Sequence, residues 1–211
     1  MELLEEILEF LAREDVQLNW TRESVPFAVS FELKSEDFMA FAKIDLKENT
    51  ERSMVNALSN IKRAIDCRIL SLLLFFGVYN KAKKENWNFP QSADFLSKIG
   101  VLAPNILKKI NRKRNELEHD FKKPTCEEVM DYFDVASLFL GSTSQFLHWT
   151  YLDYEISSED AALSIKLDRE KELIELEFFK EKRQKELKIP VDDEDSYIKI
   201  LSHLVKHLLN P

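Results

Sequence analysis

The chain has 211 residues, with 30 Lys+Arg against 38 Asp+Glu and a formal net charge of −8. That length can bury a core, and 45% hydrophobic with 32% charged residues describes a globular chain rather than a disordered one. The three glycines, Gly77, Gly100 and Gly141, stand too far apart for a dinucleotide-binding G-x-G-x-x-G or a phosphate-cradling P-loop, and Cys67 and Cys126 form no C-x-x-C pair.

In chain order, Glu2 to Glu14 places Leu3, Leu4, Ile7, Leu8, Phe10 and Leu11 at helical spacing. Val25, Phe27, Val29, Phe31 and Leu33 then alternate, as do Phe38, Ala40, Ala42, Ile44 and Leu46 after the polar link 34–37, and the pattern predicts a β-hairpin. Asn49 or Thr50 caps a long helix to about Tyr79, with Ala57, Ile61, Ala64, Ile65 and Leu72 among its apolar positions. A loop over 86–90 leads to a short helix from Ser92 to about Ile99. Pro104 opens another helix, running to about Asp120. Thr125 and Glu128 have capping-box spacing and start a helix that reaches about His148.

Period two returns beyond Trp149: Leu152, Tyr154 and Ile156, then Leu163, Ile165 and Leu167, then Ile174, Leu176 and Phe178, with a turn at 168–171. The charged stretch 180–188 is read as a connection to Pro190 and a closing amphipathic helix carrying Tyr197, Ile200, Leu201, Leu204 and Leu208. A lone hairpin is not stable, so strands from both ends are expected to share one small sheet. The fold class is therefore α+β, a helical bundle flanked by N- and C-terminal strands. The expected units are 1–48, 49–152 and 153–211, with the first and last packed together. The N-terminus is acidic, unlike a secretory leader, and the most apolar run, Ile69 to Tyr79, has eleven residues. A membrane-spanning helix needs about 20, so a cytoplasmic protein without a membrane partner is expected.

One segment carries candidate chemistry, Lys108 to Lys123. It holds seven basic side chains (Lys108, Lys109, Arg112, Lys113, Arg114, Lys122 and Lys123) and three acidic ones, a local +4 that leaves −12 for the rest. Within it, Arg114-Asn115-x-x-x-His119 resembles the R-x(4–6)-H motif of the HEPN superfamily, in which a polar residue, often Asn, follows the Arg. A bare R-x(4–6)-H arises by chance about half the time at this composition, and requiring Asn next lowers the expectation to about 0.03. The resemblance covers about 49–152, and it implies a metal-independent endoribonuclease, without a cofactor, in which the ribose 2′-OH attacks the adjacent phosphorus. Histidine suits proton transfer near neutral pH, and arginine's planar fork suits charge on phosphoryl oxygens. His119 would be the acid/base, Arg114 would stabilise the phosphate and Asn115 would orient, while Lys108, Lys109, Arg112, Lys113, Lys122 and Lys123 hold the RNA backbone. On a helix Asn115 and His119 share a face, whereas Arg114 lies about 140° round, which suits motifs paired across a homodimer. The family further implies a toxin–antitoxin or defence setting with a protein inhibitor. HEPN toxins controlled by nucleotidyltransferase antitoxins commonly carry a Tyr two residues after the His, where this chain has Phe121, which puts that route of control in doubt.

The alternative is a non-catalytic HEPN-like module that binds nucleotide, RNA or a protein partner. A lone His near a helix end more often caps carbonyls, and Arg114 with Glu118 can be an ordinary exposed pair. His203 and His207, at i and i+4, lack a third metal ligand, and Asp192 to Asp195 lack the glycine and terminal glutamate of a calcium loop. Phe75 with Phe76, and Phe178 with Phe179, read as core rather than stacking platforms.

Overall fold

The computed structural model describes residues 2–20, 24–27, 29–101, 112, 123–151 and 153–209. The elements are α1 (Glu2–Leu11), β1 (Gln17–Trp20), β2 (Ser24–Pro26), α2 (Ser35–Glu48), α3 (Glu51–Phe75), α4 (Tyr79–Lys84) and α5 (Phe89–Lys98). They continue as α6 (Cys126–Thr143), α7 (Gln145–His148), β3 (Trp149–Tyr151), β4 (Tyr154–Ser157), β5 (Ala161–Asp168), β6 (Leu173–Lys180), β7 (Arg183–Pro190) and α8 (Glu194–Leu209). Of the predicted helix from Pro104 to Asp120, all but Arg112 lies outside the described residues.

Five strands form one antiparallel sheet in the order β1-β4-β5-β6-β7, and β2 pairs separately with β3. Cross-strand register builds the buried face in rows: Ile156–Leu163–Phe178, Tyr154–Ile165–Leu176 and Leu167–Ile174–Ile189. These nine side chains are buried because they alternate with polar neighbours, so one face is apolar throughout. Phe10 of α1 meets Phe178, with ring centroids 5.3 Å apart, and α8 buries Tyr197, Ile200, Leu201 and Leu204. The sheet thus takes a strand from each end of the chain, as the sequence predicts, although the N-terminal contributor is Gln17–Trp20.

The expected hairpin over 25–46 is not formed. Its first half is strand only at Ser24–Pro26, and its second half is α2. Alternation misleads here because positions i and i+4 are also two apart twice over. Ala42 and Leu46, four apart, fall on one helical face that packs with Met39 against α3, while Ala40, Phe41 and Ile44 are exposed. The segment is built largely from good helix formers, and the Asp37 carboxylate accepts the Lys34 backbone N–H (2.8 Å) at its start. The charged stretch 180–188 is likewise no connection: it contributes most of β7, the outer edge strand, and its charges guard that edge. Lys188 bonds Glu175 on the neighbouring strand (3.0 Å), and Lys185 reaches Glu6 of α1 (2.7 Å).

Start signals in the sequence are realised more closely. Thr50 caps α3 by accepting the Ser53 N–H (3.1 Å), and Thr125 caps α6 by accepting the Glu128 N–H (3.2 Å). Asn88 caps α5 through Gln91, so that helix begins three residues before Ser92. The long helix stops at Phe75 rather than Tyr79, because Gly77 turns the chain with φ +72°. At that corner the helical and sheet parts join. Tyr197 Oη donates to the Phe76 carbonyl (2.9 Å), and Arg169 Nε donates to the Phe75 carbonyl (2.7 Å). The Arg169 guanidinium also lies over the Phe75 and Phe27 rings. Lys81 of α4 adds a buried strut, donating to the Val191 carbonyl (3.1 Å) beside Glu194 (3.7 Å). Among the described residues, no helix is long and apolar enough to cross a membrane.

Candidate functional site

Of the residues singled out by the motif, Arg114, Asn115 and His119 lie outside the described residues, as do Lys108, Lys109, Lys113 and Lys122. Arg112 is helical and exposed. Lys123, where the described chain resumes, is exposed and bonds Glu51 in the first turn of α3 (2.7 Å). That pair ties the end of the basic segment to α3, and being fully solvated it holds position rather than contributing much stability.

A second polar centre forms on α3 where α2 begins. Ile61, Ile65, Leu72 and Phe75 are buried at helical spacing, and Arg68 falls on the same stripe with only 2% of its surface exposed. Its guanidinium Nη2 makes an ion pair with Glu36, the second residue of α2, whose side chain is 65% exposed. Nε of the same guanidinium is buried without a hydrogen-bond partner. Burial lowers the Arg68 pKa, with the Glu36 charge acting in the opposite direction. Next to it Cys67 is held by the Leu33 carbonyl (3.6 Å) and Ser71 by the Cys67 carbonyl (2.8 Å), and burial raises the Cys67 pKa. A pocket of about 200 Å³ opens here, lined by Arg68, Ser71, Ser35 and Lys34 on its polar side and by Phe27, Val29 and Leu147 on its apolar side.

His203 and His207 lie on the face of α8 toward α1, beside the backbone of Leu11. Burial is the main cause that lowers both pKa values, and His207 and Lys206 lower that of His203 further. His203 Nδ1 and His207 Nε2 are buried without hydrogen-bond partners. Among the described residues, no group of three or more His, Cys, Asp or Glu side chains is placed to hold a metal ion. Within the acidic run 192–195, Asp192 and Glu194 flank Lys81 instead.

Sequence reasoning missed the Arg68 centre, although the signal was present. An arginine at a core position of an otherwise apolar stripe, 61-65-68-72-75, has to find an anion or a pocket. Its partner, Glu36, is hidden in the sequence because 34–37 reads as the polar link of a hairpin rather than the start of a helix. Compared with protein-family models, curated proteins and solved structures, the chain matches none.

Proposed function

We propose that the chain is a metal-independent endoribonuclease of HEPN type, acting on RNA as a homodimer under the control of a protein inhibitor. The observation that carries the reading is Arg114-Asn115-x-x-x-His119 inside a segment of +4 in a chain whose remainder is −12. In a net acidic chain this basic segment offers a polyanion a place to bind, with 180–188 a second stretch of local charge +3. In this reading α3, the segment 104–120 and α6 are the bundle helices. What supports that part is the packing of α3 on α6 and the capped start of α6 directly after the basic link. His119 moves the protons, Arg114 stabilises charge on the phosphoryl oxygens, Asn115 orients the imidazole, and the flanking lysines hold the backbone.

The test is cleavage of RNA in the presence of a chelator by the wild type and by His119→Ala. A loss of about 100-fold or more in the variant is expected, the usual contribution of a positioned acid/base. Equal cleavage by both proteins sinks the site assignment. RNA binding without any cleavage by the wild type makes the chain a non-catalytic HEPN-like module instead.

A further inference from the structure

The Arg68 centre has the geometry of a binding site held closed by the protein's own side chain. An arginine offers its Nε–H and one Nη2 hydrogen side by side along a single edge, matched to the two oxygens of one carboxylate. Here Glu36 takes Nη2, while Nε, on the same edge, is buried and unpartnered. A two-point site is therefore held at one point. The occupant is also easily displaced, because the Glu36 side chain is 65% exposed and has water to return to, whereas that of Arg68 is 3% exposed. A buried guanidinium, by contrast, requires an anion at all times.

The pocket extends this edge. Its volume of about 200 Å³ is roughly that of seven liquid waters. Besides its polar residues the pocket is lined by Phe27, Val29 and Leu147, which suit an apolar body on the bound group. Ser35 and Glu36 form the first turn of α2, so the positive end of that 14-residue helix faces the same place.

We propose that this pocket binds a small monocarboxylate with a short apolar tail, its two oxygens on the Nε–Nη2 edge of Arg68, and that Glu36 is the internal carboxylate it displaces. The stand-in is itself a carboxylate, which argues for that class over phosphate. Phe27, Val29 and Leu147 in the lining suit the short apolar tail. The site is independent of the proposed cleavage, since none of its residues belongs to the basic segment.

The experiment uses the full chain at constant ionic strength and follows the melting temperature with pentanoate, with pentan-1-ol and with inorganic phosphate. It is run on the wild type, on Glu36→Ala and on Arg68→Met. Pentanoate is expected to raise the melting temperature of the wild type, and to bind Glu36→Ala about tenfold more tightly, as it would if Glu36 leaves the edge open in about one molecule in ten. Arg68→Met should show no response. Should that variant fail to fold, the Arg68 Nε–H resonance of the wild type serves in its place, moving on titration with pentanoate and not with pentan-1-ol. No response to pentanoate, or equal affinity in the wild type and Glu36→Ala, overturns the displacement. A larger response to phosphate or to pentan-1-ol than to pentanoate overturns the ligand class.

Discussion

The corner at Gly77 shows how single residues join the two halves of this molecule. Its φ of +72° lies in the left-handed region, and a Cβ added there would stand 2.9 Å from Tyr197 Oη. That hydroxyl is buried, and it donates to the carbonyl of Phe76, immediately before the glycine. Burial pushes the Tyr197 pKa well above its usual value, which keeps the group a donor. Gly77→Ala therefore meets two costs, the left-handed backbone and displacement of the hydroxyl, and should lower unfolding free energy by about 2–3 kcal/mol. Tyr197→Phe should cost about 1–2 kcal/mol through the unpaired carbonyl. The two should not add: Gly77→Ala is expected to cost less in the Tyr197→Phe background, and urea unfolding of the four proteins measures the difference. Simple additivity would mean that the hydroxyl does not oppose the new methyl group.

At the scale of elements, the hairpin between β6 and β7 depends on a turn its residues do not favour. Lys180 pairs with Arg183, so Glu181 and Lys182 form a two-residue loop, and both have positive φ, 52° and 62°. Such a turn prefers Asn-Gly, because only residues that tolerate the left-handed region adopt it without strain. The double substitution Glu181→Asn with Lys182→Gly should raise stability by about 1 kcal/mol, read from the urea midpoint, with the same unfolding slope. A fall in stability would mean that the charges of Glu181 and Lys182 outweigh the strain. The same feature explains why β7 was illegible in the sequence. It lacks a turn signal in front of it and an apolar alternation within it, since an edge strand places most of its side chains in water. α2 is the opposite error, a period-two pattern that the neighbouring α3 converts into a helical face by burying Ala42 and partly covering Met39 and Leu46.

Across the whole molecule, α1 and α8 close over the sheet, and the imidazoles of His203 and His207 lie where they meet. Folding lowers both pKa values below the ordinary 6.5, chiefly by burial, so the unfolded chain binds protons that the folded chain refuses. This contribution to stability is complete above about pH 6.5 and is lost as pH falls through and below that value. Replacing both residues, His203→Gln with His207→Gln, should flatten the fall in melting temperature between neutral pH and about pH 5 relative to the wild type. Parallel curves for the two proteins would assign the acid sensitivity to other groups.

Much of the chain could be read from its own periodicities. Helices α1, α3, α5, α6 and α8 announce themselves by apolar spacing and by caps such as Thr50 and Thr125. Strands β4, β5 and β6 announce themselves by alternation of Leu, Ile and Phe. These signals are local, because a cap or an amphipathic face needs only residues a few positions away. The Arg114–His119 motif is also a property of sequence alone, legible without any packing. What only the tertiary structure decided depends on partners distant in the chain. Gln17–Trp20 becomes a strand because β4 lies beside it, and 183–190 becomes one because β6 does. Ser35–Glu48 becomes a helix because α3 buries one of its faces. Arg68 meets Glu36 across 32 residues of chain, and the pocket beside them exists only once those two helices have packed.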